Sequence, residues 1–153
     1  MERGVLLNMR RAILILLLAL LTTQNLSAAN NTLVLVVRAD SKVPDLDSIT
    51  VRKLFLGFPV LMDGSLVHPV RNRSDAAMDP IFLQEVVAMS QSAYERQILM
   101  GVNRQGWLRP AEVSSTRRAL ETLYSDPNAV TFMWLKDVVH DPKLRVVRML
   151  WSD

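Results

Sequence analysis

The chain has 153 residues, is 50% apolar and 22% charged, carries a net charge of +3 and contains no cysteine. That balance excludes a disordered chain. The lack of thiols excludes a disulfide framework, a thiolate metal site, a cysteine nucleophile and a lipid-modified cysteine.

Arg3, Arg10 and Arg11 precede ten uninterrupted apolar residues, 12–21, after which come a polar stretch and the small residues Ser27, Ala28 and Ala29. A positive start, a short apolar run and small residues at a cut site predict a secretory signal peptide over 1–29, cleaved after Ala29. The alternative is a membrane anchor, but a spanning helix needs about 20 apolar residues. Met9 followed by two arginines would open a tidier signal, so Met1 and Met9 are both candidate starts. Removing 1–29 leaves fifteen basic and fourteen acidic residues. The balance near +1 supports neither a nucleic-acid partner nor a membrane surface. A periplasmic protein with one domain over 30–153, not inserted in the membrane, is expected.

Residues 33–37 (LVLVV) predict a strand buried on both faces, as in a parallel sheet covered by helices. Asp47 or Ser48 caps a helix with Ile49, Leu54 and Phe55 on one face, stopped by Gly57 and Pro59. The turn MDGS at 62–65 leads to a strand over 66–70, which Pro69 puts at an edge or ends. After a polar loop over 71–77, Asp79 is the expected N-cap with Pro80 at the first helical position, and Ile81, Phe82, Val86, Val87 and Met89 form the buried face. Ser92 and Glu95 match a capping box for a helix carrying Tyr94, Ile98 and Leu99 and ending near Gly101. Ser114 or Ser115 opens a fourth helix with Ala119, Leu120, Leu123 and Tyr124 inward, ended by Asp126 and Pro127. Residues 129–135 and 145–150 read as strands, the first buried and the second alternating. This order predicts an α/β layer fold rather than a bundle or a sandwich.

Several short motifs follow one another along the chain: Lys53-Leu54-Phe55-Leu56-Gly57 at a helix end, Asp63-Gly64 in a turn, Pro69-Val70 in a strand, Arg73-Ser74 before a helix with an inward Phe82, a loop from Gly106 to Pro110, and a strand from Pro127 to Phe132. In these the sequence resembles the small, phosphate-type periplasmic substrate-binding proteins of ABC importers. The resemblance implies an α/β fold of the periplasmic-binding-protein-like type II, essentially one lobe, with helices packed on a mixed sheet. It also implies that a Ser-Gly-Thr run after the arginine holds phosphate through hydroxyls and backbone N–H groups. Here Arg73-Ser74 continues as Asp75-Ala76-Ala77-Met78, without the glycine and the threonine and with a carboxylate added. The 124 residues from Asn30 onward also resemble mainly one lobe of a two-lobed clamp.

The candidate oxyanion ligands are Arg73, Ser74, Arg71 and Ser41. Arg73 offers the bidentate guanidinium fork suited to phosphate or sulfate. The plainer alternative is an arginine in solvent or paired with Asp75 or Asp79, and for the serines a turn or cap role. His68 and His140 stand 72 positions apart with no cysteine or spaced carboxylates, so a metal site is not expected. His68 within LVHPV reads as a structural strand residue. No nucleophile signature is present, and neither an enzyme nor a cofactor is expected. Trp134 reads as core; Trp107, in a Gly/Pro loop, either anchors a partner or packs over the adjacent helices. Two functions follow. One is a binder of phosphate or another small oxyanion that serves an ABC importer membrane subunit or a periplasmic sensor. The other is a degenerate binding-protein fold that acts as a non-catalytic interaction or sensory accessory module.

Overall fold

The computed structural model describes residues 31–153. The expected signal peptide over 1–29 lies outside the described residues. The sheet is built on β1, Thr32–Arg38, whose residues 33–37 are all buried. Alternate side chains feed two cores. Leu33, Leu35 and Val37 pack with Leu54, Phe55, Phe82, Tyr94 and Phe132, whereas Val34 and Val36 pack with Ala119, Leu123 and Met133. This is the two-faced burial expected from LVLVV, but both of β1's ladders are antiparallel, to β6 (Ala129–Trp134) and β7 (Leu144–Ser152). Burial on both faces follows from helices on both sides of the sheet, and strand direction is free to differ. The strand order is β5-β4-β6-β1-β7, and β4 (His68–Asn72) runs parallel to both β5 (Ala111–Val113) and β6. The sheet is therefore mixed, with helices packed on it, as expected.

α1, Ser48–Phe55, starts where Asp47 accepts a hydrogen bond from the Thr50 amide at 2.9 Å. Its buried residues are Val51, Leu54 and Phe55, at i, i+3 and i+4. Ile49 does not belong to that face and is 67% exposed. Phe58 N–H returns to the Lys53 carbonyl and Gly57 N–H to the Leu54 carbonyl, a Schellman stop that requires the left-handed backbone of Gly57, φ 87°. A small hairpin follows, β2 (Leu61–Met62) and β3 (Ser65–Leu66), turned by Asp63 and Gly64, both at positive φ. That is the pattern of a type I′ turn.

The strand expected at 66–70 lies further on, as β4, and it is interior. Pro69 is tolerated because β5 begins only opposite Val70. The N–H that proline lacks belongs to the side of β4 from which Arg73 N–H reaches the Val113 carbonyl of β5, and that side is bare at Pro69. β5 itself has three residues and no apolar pattern to announce it.

α2, Met78–Ile81, widens into a π-helical turn over Phe82–Val86, closed by Val87 N–H to the Phe82 carbonyl. Its N-cap is Ala77, with no side-chain bond, so Asp79 is not the cap. α3, Gln91–Gln105, is capped by Ser90 rather than Ser92 and runs through Gly101 to the left-handed Gly106, φ 66°. Gly101 is inside the helix because Trp107 lies on it: a Cβ there would stand 2.4 Å from Trp107 Cε3. α4, Thr116–Ser125, is capped by Ser115, with Ala119 and Leu123 buried and Tyr124 37% exposed. The tyrosine turns outward to donate its hydroxyl to Asp141. α5, Leu135–Val138, links β6 to β7. No described helix is long and apolar enough to cross a membrane.

Candidate functional site

β4 delivers Arg71 onto the aromatic core. Its guanidinium lies 4.9 Å from the ring centroids of both Phe82 and Tyr94 and is fully buried. Phe82 stacks on Phe132 and meets Tyr94 edge-on, and the Tyr94 hydroxyl donates to the Phe55 carbonyl at 2.9 Å. Burial pushes the Tyr94 phenol up to about 12, against the opposing pull of the Arg71 charge.

The polar half of the site is acidic. Arg71 Nη2 donates to Asp79 Oδ1 and to Gln91 Oε1, both at 2.9 Å, and Nη1 lies 3.8 Å from both Glu95 and Glu112. Arg73 faces Asp79 at 3.4 Å and Glu112 at 3.7 Å, and Arg109 reaches Glu95 at 2.6 Å. Three arginines thus meet three carboxylates. Within this network Arg71 Nε and Nη1 have no hydrogen-bond partner.

The loop between β4 and α2 engages several of its own donors. Ser74 N–H is taken by Asn72 Oδ1 at 3.0 Å, and Ala77 N–H by Asp75 Oδ1 at 2.8 Å. Met78 N–H goes to the Asp75 carbonyl. Asp75 Oδ2 accepts from Trp134 Nε1 at 2.9 Å, which ties the loop to the end of β6. The Ala77 amide first, and the Trp134 indole second, hold the Asp75 carboxyl below the usual carboxylate range. Asn72, fully buried, bridges the loop to the Phe132 carbonyl at 3.0 Å.

The four candidate ligands therefore separate. Arg71 and Arg73 join one network through Asp79. Ser74 is next to it, its hydroxyl accepting from Thr116 at 3.4 Å. Ser41, on the loop after β1, is buried in a turn of its own, with Oγ accepting from Val43 N–H and its carbonyl from Arg145. No hydrogen bond joins it to the other three. Sequence reasoning missed Gln91, Glu95, Glu112 and Asn72 as members of the site. Glu112 lies on the short β5 and Glu95 was assigned to a cap, so neither carried a signal of its own. Trp134 is core, as expected, and Trp107 packs: its ring lies 4.1 Å from that of Phe58.

No family model matches the sequence, and no curated protein matches it. Solved structures do match the fold, among them the following. An ABC-type phosphate transport receptor from Vibrio cholerae aligns with TM-score 0.56 at 15% identity, over 82% of this chain and 49% of that one. A putative phosphate ABC transporter substrate-binding protein with bound phosphate from Clostridium perfringens aligns with TM-score 0.60 at 13% identity, over 79% and 46%. PstS from Borrelia burgdorferi aligns with TM-score 0.55 at 11% identity, over 77% and 47%. The chain spans about half the length of the structures it matches. Its described residues form a lobe of mixed α/β structure with the fold of phosphate ABC transporter substrate-binding proteins.

Proposed function

We propose that this chain is a non-catalytic module of the bacterial envelope that keeps a substrate-binding fold and acts through protein contacts, without holding phosphate at the loop after β4. One observation carries this reading: the buried Arg71 guanidinium is bonded to Asp79 and Gln91, with Glu95 and Glu112 close by. An oxyanion at the buried Arg71 would have to displace Asp79 and approach Glu95 and Glu112, a like-charge arrangement that costs several kcal/mol. Two of the loop amides, those of Ser74 and Ala77, are engaged by Asn72 and Asp75. A contact surface is available on α3, where Leu99, Met100 and Val102 are exposed. Export by the segment over 1–29, cleaved after Ala29, brings the module to the periplasm.

Cross-linking in periplasm tests this. A specific protein partner, lost in Leu99→Glu/Val102→Glu, is expected; if no partner is recovered while phosphate binds, the reading is wrong.

A second reading is favoured by the unpartnered Nε and Nη1 of Arg71. On it, a small oxyanion such as phosphate binds at Arg71, Arg73 and Ser74 and is passed to an importer membrane subunit or a sensor. It requires saturable phosphate binding that is lost in Arg73→Ala.

A further inference from the structure

On another part of the same lobe a pocket of about 440 Å³ opens between the end of α1, the segment from β3 into β4, and the loop from α3 to β5. We propose that it is a binding site for an uncharged, mainly aromatic or apolar small molecule carrying one hydrogen-bond donor, an N–H or O–H that His68 receives.

The volume falls in the range of small-molecule sites, about 300–1,000 Å³. Buried Leu54, Val67 and Val70 contribute its apolar lining. Trp107, tilted on Phe58 and seated on Gly101, supplies an aromatic wall. Gly57 lets the opposite loop come near, since a Cβ there would stand 3.2 Å from the Leu108 carbonyl. The absence of β5 beside His68 and Pro69 leaves this side of β4 open. At that place proline is the residue that leaves no backbone donor unpaired in apolar surroundings.

The polar side chains of the wall define the ligand. Arg109 is held by Glu95 at 2.6 Å, and the Thr122 hydroxyl donates to the Arg118 carbonyl at 2.8 Å. Asp126 is engaged through Oδ1 by Asn128 N–H at 2.8 Å and through Oδ2 by His68 Nδ1 at 2.6 Å. The charges are thus paired within the protein, which favours a neutral guest. Among the polar side-chain groups of the wall left without a bond are the exposed Gln105 amide and His68 Nε2. A carboxylate on Nδ1 keeps the proton of the neutral ring there, so Nε2 accepts. None of Arg71, Arg73, Ser74 or Asp79 lines this pocket, which shares only Arg109 with their network.

Indole and 1-methylindole, alike in shape but differing in the N–H, are the probes, titrated into the ¹⁵N-labelled protein and followed by NMR. The expected result is saturable shifts confined to 57–59, 66–70 and 105–111, with 1-methylindole bound about three- to ten-fold more weakly. In His68→Leu the two probes should bind equally. Non-saturable or scattered shifts, or equal affinities in the unaltered protein, overturn the proposal. So does a preference for indole that survives in His68→Leu. The comparison of probes in the unaltered protein stands even if the variant does not fold.

Discussion

Arg71 and Asp79, eight residues apart, meet at 2.9 Å, with the arginine fully buried and the aspartate at the rim. The pair links the end of β4 to the first turn of α2, and it closes the loop between them on its own carboxylate.

Removing Arg71 should therefore be expensive in stability. Arg71→Ala leaves a gap between Phe82 and Tyr94 and removes the bonds from Arg71 to Asp79 and Gln91; a loss of about 2–4 kcal/mol is expected. Arg71→Met keeps most of the contact with the rings and should cost about half as much. Urea denaturation of the two variants measures the difference, and equal losses would show that packing between the rings contributes nothing.

Gly101→Ala separates helix propensity from packing. In an exposed helix the change stabilises by about 1 kcal/mol. Here the new methyl meets the Trp107 ring at 2.4 Å, so a net loss of about 1–3 kcal/mol is expected, with altered Trp107 fluorescence. Thermal unfolding with a fluorescence readout checks both.

Much of the fold was legible because its signals are local. LVLVV has the buried-strand composition, Gly57 and Asp63-Gly64 demand positive φ, and Ser115 and Asp126-Pro127 bracket α4. The errors occur where distant contacts override a local rule. Gly101 looks like a helix stop until Trp107 is seen to need its bare face. Asp79 looks like a cap until Arg71 and Arg73 are seen to claim its carboxylate, while the Asp75 side chain takes the Ala77 amide. The site shows the same division: Arg71, Arg73 and Ser74 stand out as residue types, but Gln91, Glu95 and Glu112 arrive from two other elements.

Acid stability should depend on Asp75. Its folded-state pKa is depressed, so its contribution is present above the ordinary carboxylate pKa of about 4 and is lost as pH falls through the lower folded value. Asp75→Asn should be less stable at neutral pH and show a shallower acid limb. Unfolding followed from neutral pH to about pH 2 tests this; an unchanged acid limb would show that the bonds from Ala77 and Trp134 do not favour the ionised form.

At alkaline pH the sign reverses. Tyr94 is raised to about 12 by burial, and Tyr124 is raised chiefly by its hydrogen bond to Asp141. A phenol raised in the folded state stabilises below its unfolded pKa near 10, and that contribution is lost as pH rises toward the folded value. These are the chain's two tyrosines, so ultraviolet titration should show tyrosinate appearing at higher pH in the native protein than in denaturant, with Tyr94 the later of the two.

Phosphate calorimetry on the purified protein, beside Asp79→Ser, tests the central claim most directly. If Asp79 occupies the place of an anion, the unaltered protein gives no saturable heat at millimolar phosphate, and Asp79→Ser, with that carboxylate removed from Arg71 and Arg73, begins to bind. Saturable micromolar binding by the unaltered protein, abolished in Arg73→Ala, would contradict it.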